Sequence, residues 1–235
     1  MNLRAALTNI HRDPFWWRKV LIGGALMLTI IGTPWSAGLV VESLNNARNG
    51  YPTPLPPWYN WGDRYLIGFF ALILDFVFFV LPVLCFSLLF FCGLTILVFS
   101  NTSSVPTILI VGAGSLLVVY ELSLFGLSIA PVGRLIYTDE GRIEEALSLR
   151  TFREALRRDA RAIYAGARLQ SLPTYLPALV LLVILWFVLN TSFPGLWLVV
   201  LLLLWLILSA FLYAHLVVAQ LYAMTARSLG MTTPV

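Results

Sequence analysis

Charge is scarce in this chain. Of its 235 residues 11% are charged and 60% are apolar, whereas a soluble domain is about one quarter charged. The shortage excludes an ordinary globular enzyme, and with a mean hydropathy of +0.88 it excludes a disordered chain as well. Cysteine is nearly missing. Cys85 and Cys92 stand seven apart in one apolar run, where two cysteines on one helix cannot bridge, so there is no disulfide scaffold. They lack metal-ligand spacing and read as small buried hydrophobes. Lysine occurs once, at Lys19, so the net charge of +4 and the pI near 9.3 come from arginine. No stripe of arginines and aromatics marks a soluble face, which removes nucleic acid as a partner. No nucleophile–base pair, paired carboxylates or phosphate loop is present; Gly112-Ala113-Gly114-Ser115 lacks the third glycine of a dinucleotide loop. No catalytic residue, no metal site and no enzyme activity is expected.

What is present is long apolar sequence, and it predicts an all-α, polytopic transmembrane bundle forming one membrane domain over residues 1–235. Residues 1–19 make a basic interfacial lead, retained rather than cleaved. Asp13-Pro14 reads as a helix start. Trp16, Trp17, Arg18 and Lys19 behind it suit a headgroup interface, as do Trp58 and Trp61 further on. An apolar segment from Val20 to Leu44 is interrupted at Gly32–Gly38, where Pro34 implies a kink or a re-entrant hairpin. Four prolines between Pro52 and Pro57 forbid a regular helix. Further apolar stretches run over 65–99, broken at Pro82, and over 106–130. Two final spans cover 172–189 and 194–224. Between them residues 132–170 hold eight arginines and six acids. Leu149, Phe152, Leu156, Ala160, Ile163 and Ala167 recur there at helical steps, predicting an amphipathic helix on the membrane surface.

The positive-inside rule puts residues 1–19, 132–170 and the stretch after Arg227 in the cytoplasm, with the spans in the inner membrane. The chain then crosses an even number of times between the first two. Splitting 65–99 at Pro82 gives six spans; folding 20–44 back at Pro34 gives four and a re-entrant hairpin. The sequence leans to six.

Ionisable groups at membrane depth are candidate functional sites. Asp75 and Glu121 lie in apolar runs with no cationic partner in a neighbouring span, so protonation or a polar neighbour must neutralise them. Gln220 is a third intramembrane polar candidate. His215, flanked by Ala214, is a candidate ligand for a chlorophyll-type pigment or a haem, or else a helix–helix hydrogen bonder.

The block Asp13-Pro14-Phe15-Trp16-Trp17-Arg18-Lys19-Val20-Leu21-Ile22-Gly23-Gly24 resembles a prokaryotic membrane family catalogued as domain-of-unknown-function family four-thousand-and-thirteen. Leu55-Pro56-Pro57-Trp58, Trp61-Gly62-Asp63 and Gly68 carry the likeness on. Tyr213-Ala214-His215 and Gln220-Leu221-Tyr222 are similar to that family's last helix, with His215 in place of a neutral polar residue. The resemblance implies the architecture and brings no activity, cofactor or catalytic residue. Three functions compete. One is a non-catalytic accessory subunit of a larger bacterial membrane complex, such as a respiratory or photosynthetic electron-transfer assembly, with other membrane subunits and the bilayer as partners. The second is a carrier or channel for a small solute, proton or lipid through Asp75 and Glu121. The third is pigment or haem binding at His215.

Overall fold

A computed structural model describes residues 2–80, 132–137, 141–155, 157–191 and 194–230, with a few isolated positions between 84 and 95. The expectations for Pro82, Cys85, Glu121, Asp139, Glu140 and the 106–130 span lie outside those residues. Among the described residues all regular structure is helical. Helix α1 (Leu3–His11) is capped by Asn2, whose side chain accepts the Arg4 amide at 3.0 Å, and it buries Ala6 and Ile10. Asp13 caps a turn rather than a helix. Its Oδ1 accepts the Phe15 amide at 2.8 Å, and α2 (Trp16–Met27) begins after Pro14.

The segment from Val20 to Leu44, for which the sequence allows one kinked span or a hairpin folded at Pro34, folds back in the structure. A 3-10 turn (Ile30–Gly32) follows α2, and α3 (Thr33–Arg48) carries Pro34 in its first turn. There the missing amide hydrogen costs nothing, so Pro34 starts a helix instead of kinking one. A Cβ on Gly32 would lie 2.0 Å from the Leu26 carbonyl oxygen, so the bend needs glycine. Ser36 Oγ donates to the Gly23 carbonyl at 2.8 Å and joins the two arms.

After a loop over 49–60, α4 (Trp61–Asp75) packs on α3 with the backbones almost touching. A Cβ on Gly68 would sit 1.7 Å from the Pro34 carbonyl oxygen, and one on Gly38 would sit 2.2 Å from that of Arg64. Small residues permit this approach. A π-helical turn (Phe76–Val80) continues α4.

The expected single amphipathic helix is broken. Residues 132–137 are helical, then come α5 (Ile143–Ala146), α6 (Leu149–Ala155) and α7 (Arg158–Ser171). The face that α7 buries is Ala160, Tyr164, Ala167 and Ser171, a three- and four-residue repeat that includes a tyrosine the apolar pattern passed over. A 3-10 turn (Leu172–Tyr175) leads into α8 (Leu176–Leu189). Gly195, at φ +83, then admits the final helix α9 (Leu196–Ser228).

Helix α9 organises the core. Its first half meets α8 through Leu185, Leu203 and Ile207. Its second half, with Leu212, Leu216, Val217 and Leu221 buried, is surrounded by α1, α2, α3 and α7. Trp205 Nε1 donates to the Leu21 carbonyl at 2.9 Å. Among the described residues two helical stretches, Asp159–Leu189 and Leu196–Ser228, are long and apolar enough to cross a membrane. The first contains the expected span 172–189, and the second covers all of the expected 194–224 except its first two residues.

Candidate functional site

Asp75 ends α4, and contrary to the sequence reading it has a cationic partner. The Arg134 guanidinium, 59 residues along the chain, donates Nε to Oδ1 at 2.9 Å and Nη2 to Oδ2. This planar two-point pairing is the geometry arginine favours with carboxylates. Both side chains are largely shielded. No span-by-span search finds Arg134, because it stands in the first turn of the charged connector rather than in an apolar run.

The pair opens on a cavity of about 120 Å³, where His215 from α9 forms another wall, with Thr33 and Ser36 of α3 adding hydroxyls and Leu72 and Leu212 apolar surface. That space, partly open to the outside, admits water. His215 Nδ1 donates to the Phe211 carbonyl at 2.8 Å, one turn back on its own helix, which leaves Nε2 as the free ring nitrogen. The Tyr175 ring stands edge-on to His215, with centroids 5.7 Å apart. The Tyr175 hydroxyl accepts from Arg168 Nη1 at 2.8 Å. Charged and polar side chains from 75, 134, 168, 175 and 215 thus converge at one level of the bundle. The cavity is smaller than the roughly 300–1,000 Å³ of pockets that enclose large ligands, and His215 is itself exposed beside it. Among the described residues no group of three or more His, Cys, Asp or Glu can hold a metal ion.

Gln220, the third polar candidate, is buried and joins helices: Nε2 donates to Ser43 Oγ at 3.0 Å, across α9 and α3. It lies apart from the cavity lining. Cys92 is exposed and free.

A second ionic cluster was missed by the sequence reading. Arg64, 1% exposed, is held between α4, α3 and the proline loop. Its Nη2 donates to Glu42 Oε2 at 2.6 Å and to the Pro57 carbonyl at 2.9 Å, while Nε lies 3.2 Å from both Glu42 oxygens. The Trp58 ring stacks 5.0 Å from the guanidinium. One signal was available. Glu42 is the only charged residue between Lys19 and Arg48, and a lone carboxylate in such a stretch needs a partner.

The interfacial anchors divide into two kinds. Trp17 and Trp61 are exposed, and Arg18 lies over the Phe15 and Trp17 rings at 5.2 and 5.0 Å. Trp16 packs between His11 and Tyr213. Lys19 and Trp58 are fasteners instead. Lys19 Nζ pairs with Asp13 and donates to the Leu55 carbonyl at 2.7 Å, and Trp58 Nε1 donates to the Lys19 carbonyl at 3.3 Å. The lead and the proline loop are thereby tied together.

These features belong to a family without an assigned activity. The profile described as "Protein of unknown function (DUF4013)" matches residues 21–191, nearly three quarters of the chain, and the chain belongs to that family. The match covers α3, α4, the connector and α8, and it stops before α9 and His215. No curated protein and no solved structure matches the chain.

Proposed function

We propose that this family member is an integral membrane carrier for a small polar solute or proton, with the Asp75–Arg134–His215 cavity as its binding point. Membrane residence is supported by α8 and α9. Only 17% and 22% of their apolar windows are buried, whereas the core helix of a soluble protein is mostly covered. Leu179, Val183, Trp186, Phe187 and Trp197 are exposed there, a surface suited to lipid. In this reading the positive-inside rule favours a cytoplasmic side for the N-terminus, residues 132–170 and the C-terminus, the membrane being the inner one.

One observation carries the carrier reading: an ion pair and a histidine, drawn from three distant segments, line a space large enough for water. A purely structural ion pair needs no such space. Groups of this kind mark solute and proton pathways in membrane proteins.

Reconstitution tests it. Proton flux is read with an entrapped pH dye, and urea and glycerol permeation by stopped-flow light scattering. The purified chain should raise at least one of the three rates above that of empty liposomes. Asp75→Asn and His215→Ala should each lower that rate about tenfold, with an unchanged elution profile in detergent. Rates equal to those of empty vesicles would remove the carrier.

The exposed Trp186, Phe187 and Trp197 favour a second reading, a non-catalytic subunit docked on other membrane chains, though no feature here singles out an electron-transfer host. Gentle extraction that yields a lone monomer would speak against it.

A further inference from the structure

The fold-back formed by α2 and α3 has two ends of opposite character. Its open end is polar and aromatic: the Lys19–Asp13 pair, the Lys19 bond to Leu55 and the Trp58 bond to Lys19 join the chain entering α2 to the chain leaving α3. Exposed Phe15, Trp17, Tyr59 and Trp61 collect at that end, the composition of a membrane–water boundary. At the closed end the tip residues are apolar and exposed, while Met27 and Thr33 beside them line the cavity that holds Asp75 and Arg134. Ile30 is 92% exposed and Ile31 72%, and no charged residue occurs between Lys19 and Glu42.

The bend pairs several of its own polar groups, the amides of Ile30 and Ile31 excepted. Thr29 Oγ1 accepts the Gly32 amide at 3.1 Å and donates to the Leu26 carbonyl at 2.9 Å. The amides of Leu28 and Thr29 reach the carbonyls of Ala25 and Leu26, and that of Thr33 reaches Ile30. Such pairing suits a turn in hydrocarbon, where no water stands in for a missing partner. Length points the same way. The 12 residues of α2 rise about 18 Å at 1.5 Å each, short of the roughly 30 Å of a bilayer core.

We propose that α2 and α3 form a re-entrant hairpin that enters and leaves the bilayer on one face, with Ile30 and Ile31 at its tip in contact with lipid acyl chains. The hairpin contributes no crossing, so the basic lead before α2 and the loop after α3 lie on one face of the bilayer. This rests on the membrane residence proposed above, and the controls below separate the two.

The test uses the full chain carrying Cys85→Ser and Cys92→Ser, reconstituted in phosphatidylcholine–phosphatidylglycerol vesicles. An environment-sensitive fluorophore is attached at Ile31→Cys or, as the membrane control, at Val183→Cys on α8. Lipids spin-labelled along the acyl chain should quench both probes several-fold more than a water-soluble quencher does. An impermeant maleimide should label Asn2→Cys and Asn49→Cys from the same side and leave unmodified Ile31→Cys untouched from either. Quenching at 183 without quenching at 31 overturns the hairpin and keeps the membrane protein; quenching at neither position overturns membrane residence itself. Labelling of position 31 by the maleimide, or of positions 2 and 49 from opposite sides, also overturns the hairpin.

Discussion

Removing Arg64 separates a fastening role from simple packing. The guanidinium is fully enclosed, and truncation to alanine leaves the three-quarters-shielded Glu42 carboxylate and the Pro57 carbonyl without their donors. Breaking a buried pair from one side costs about 3–5 kcal/mol, and loss of the Trp58 stack adds up to about 1 kcal/mol. Because Glu42 keeps some water contact, Arg64→Ala should cost about 3 kcal/mol, a factor of more than a hundred in the folding equilibrium. The double change Arg64→Met with Glu42→Leu removes both charges and refills the volume; replacements of this kind are neutral or stabilising. It should stay within about 1 kcal/mol of the parent, the residue being the orphaned Pro57 carbonyl. With Arg64→Met and Glu42→Leu as its singles, Arg64→Met orphaning Glu42 as Arg64→Ala does, the cycle carries a non-additivity of about 2 kcal/mol or more. Equilibrium unfolding in mixed micelles, followed by tryptophan emission, reads it directly, since Trp58 lies on the guanidinium and Trp35 and Trp61 lie beside it. A single variant costing under 1 kcal/mol, or a double variant equal to the sum of its singles, refutes the reasoning.

Gly24→Ala should destabilise more than Gly23→Ala by about 1–2 kcal/mol, measured in the same way. The added methyl would meet the Ser209 backbone at 2.8 Å in the first case and the yielding tip of Leu212 in the second. Gly195→Ala has open space but a left-handed backbone, so its cost should be conformational, about 1 kcal/mol. Trp205→Phe removes the second hydrogen bond of the Leu21 carbonyl, which keeps its helical donor, and should cost about 1 kcal/mol. Arg134→Gln should lower thermal stability in detergent more than Arg142→Gln does, because Arg142 is exposed and makes no ion pair among the described residues.

The parts of this fold that are legible in sequence are those set by local composition. The leucine- and valine-rich runs of α8 and α9 announce themselves, and the proline cluster rules out helix over 52–57. Pro34 marks an interruption, but its sequence allows either a kink or a fold-back. The distinction is made by contacts between Ser36 and Gly23 and by the lack of room at Gly32, neither of which has a periodic signature. The amphipathic pattern finds α7 and misses its Tyr164, because a tyrosine buried beside Tyr222 reads as a boundary residue. The cavity is the least legible feature. Asp75 and His215 are visible as isolated polar residues in apolar stretches, whereas Arg134 is one of eight arginines in the connector and only tertiary proximity singles it out.

Helix α9 supplies the seam into which the earliest helices fit: Ser43 meets Gln220, Arg227 Nε donates to the Arg48 carbonyl at 3.1 Å, and His11 faces Tyr213. These partners are separated by most of the chain, so the N-terminal third cannot complete its packing until the last segment has been synthesised. During that interval Leu39, Val40 and Leu44 lack their cover, and chaperones or membrane proteases have their opportunity then. Nascent chains halted before residue 196 should be cleared rapidly, and those halted after residue 228 should survive.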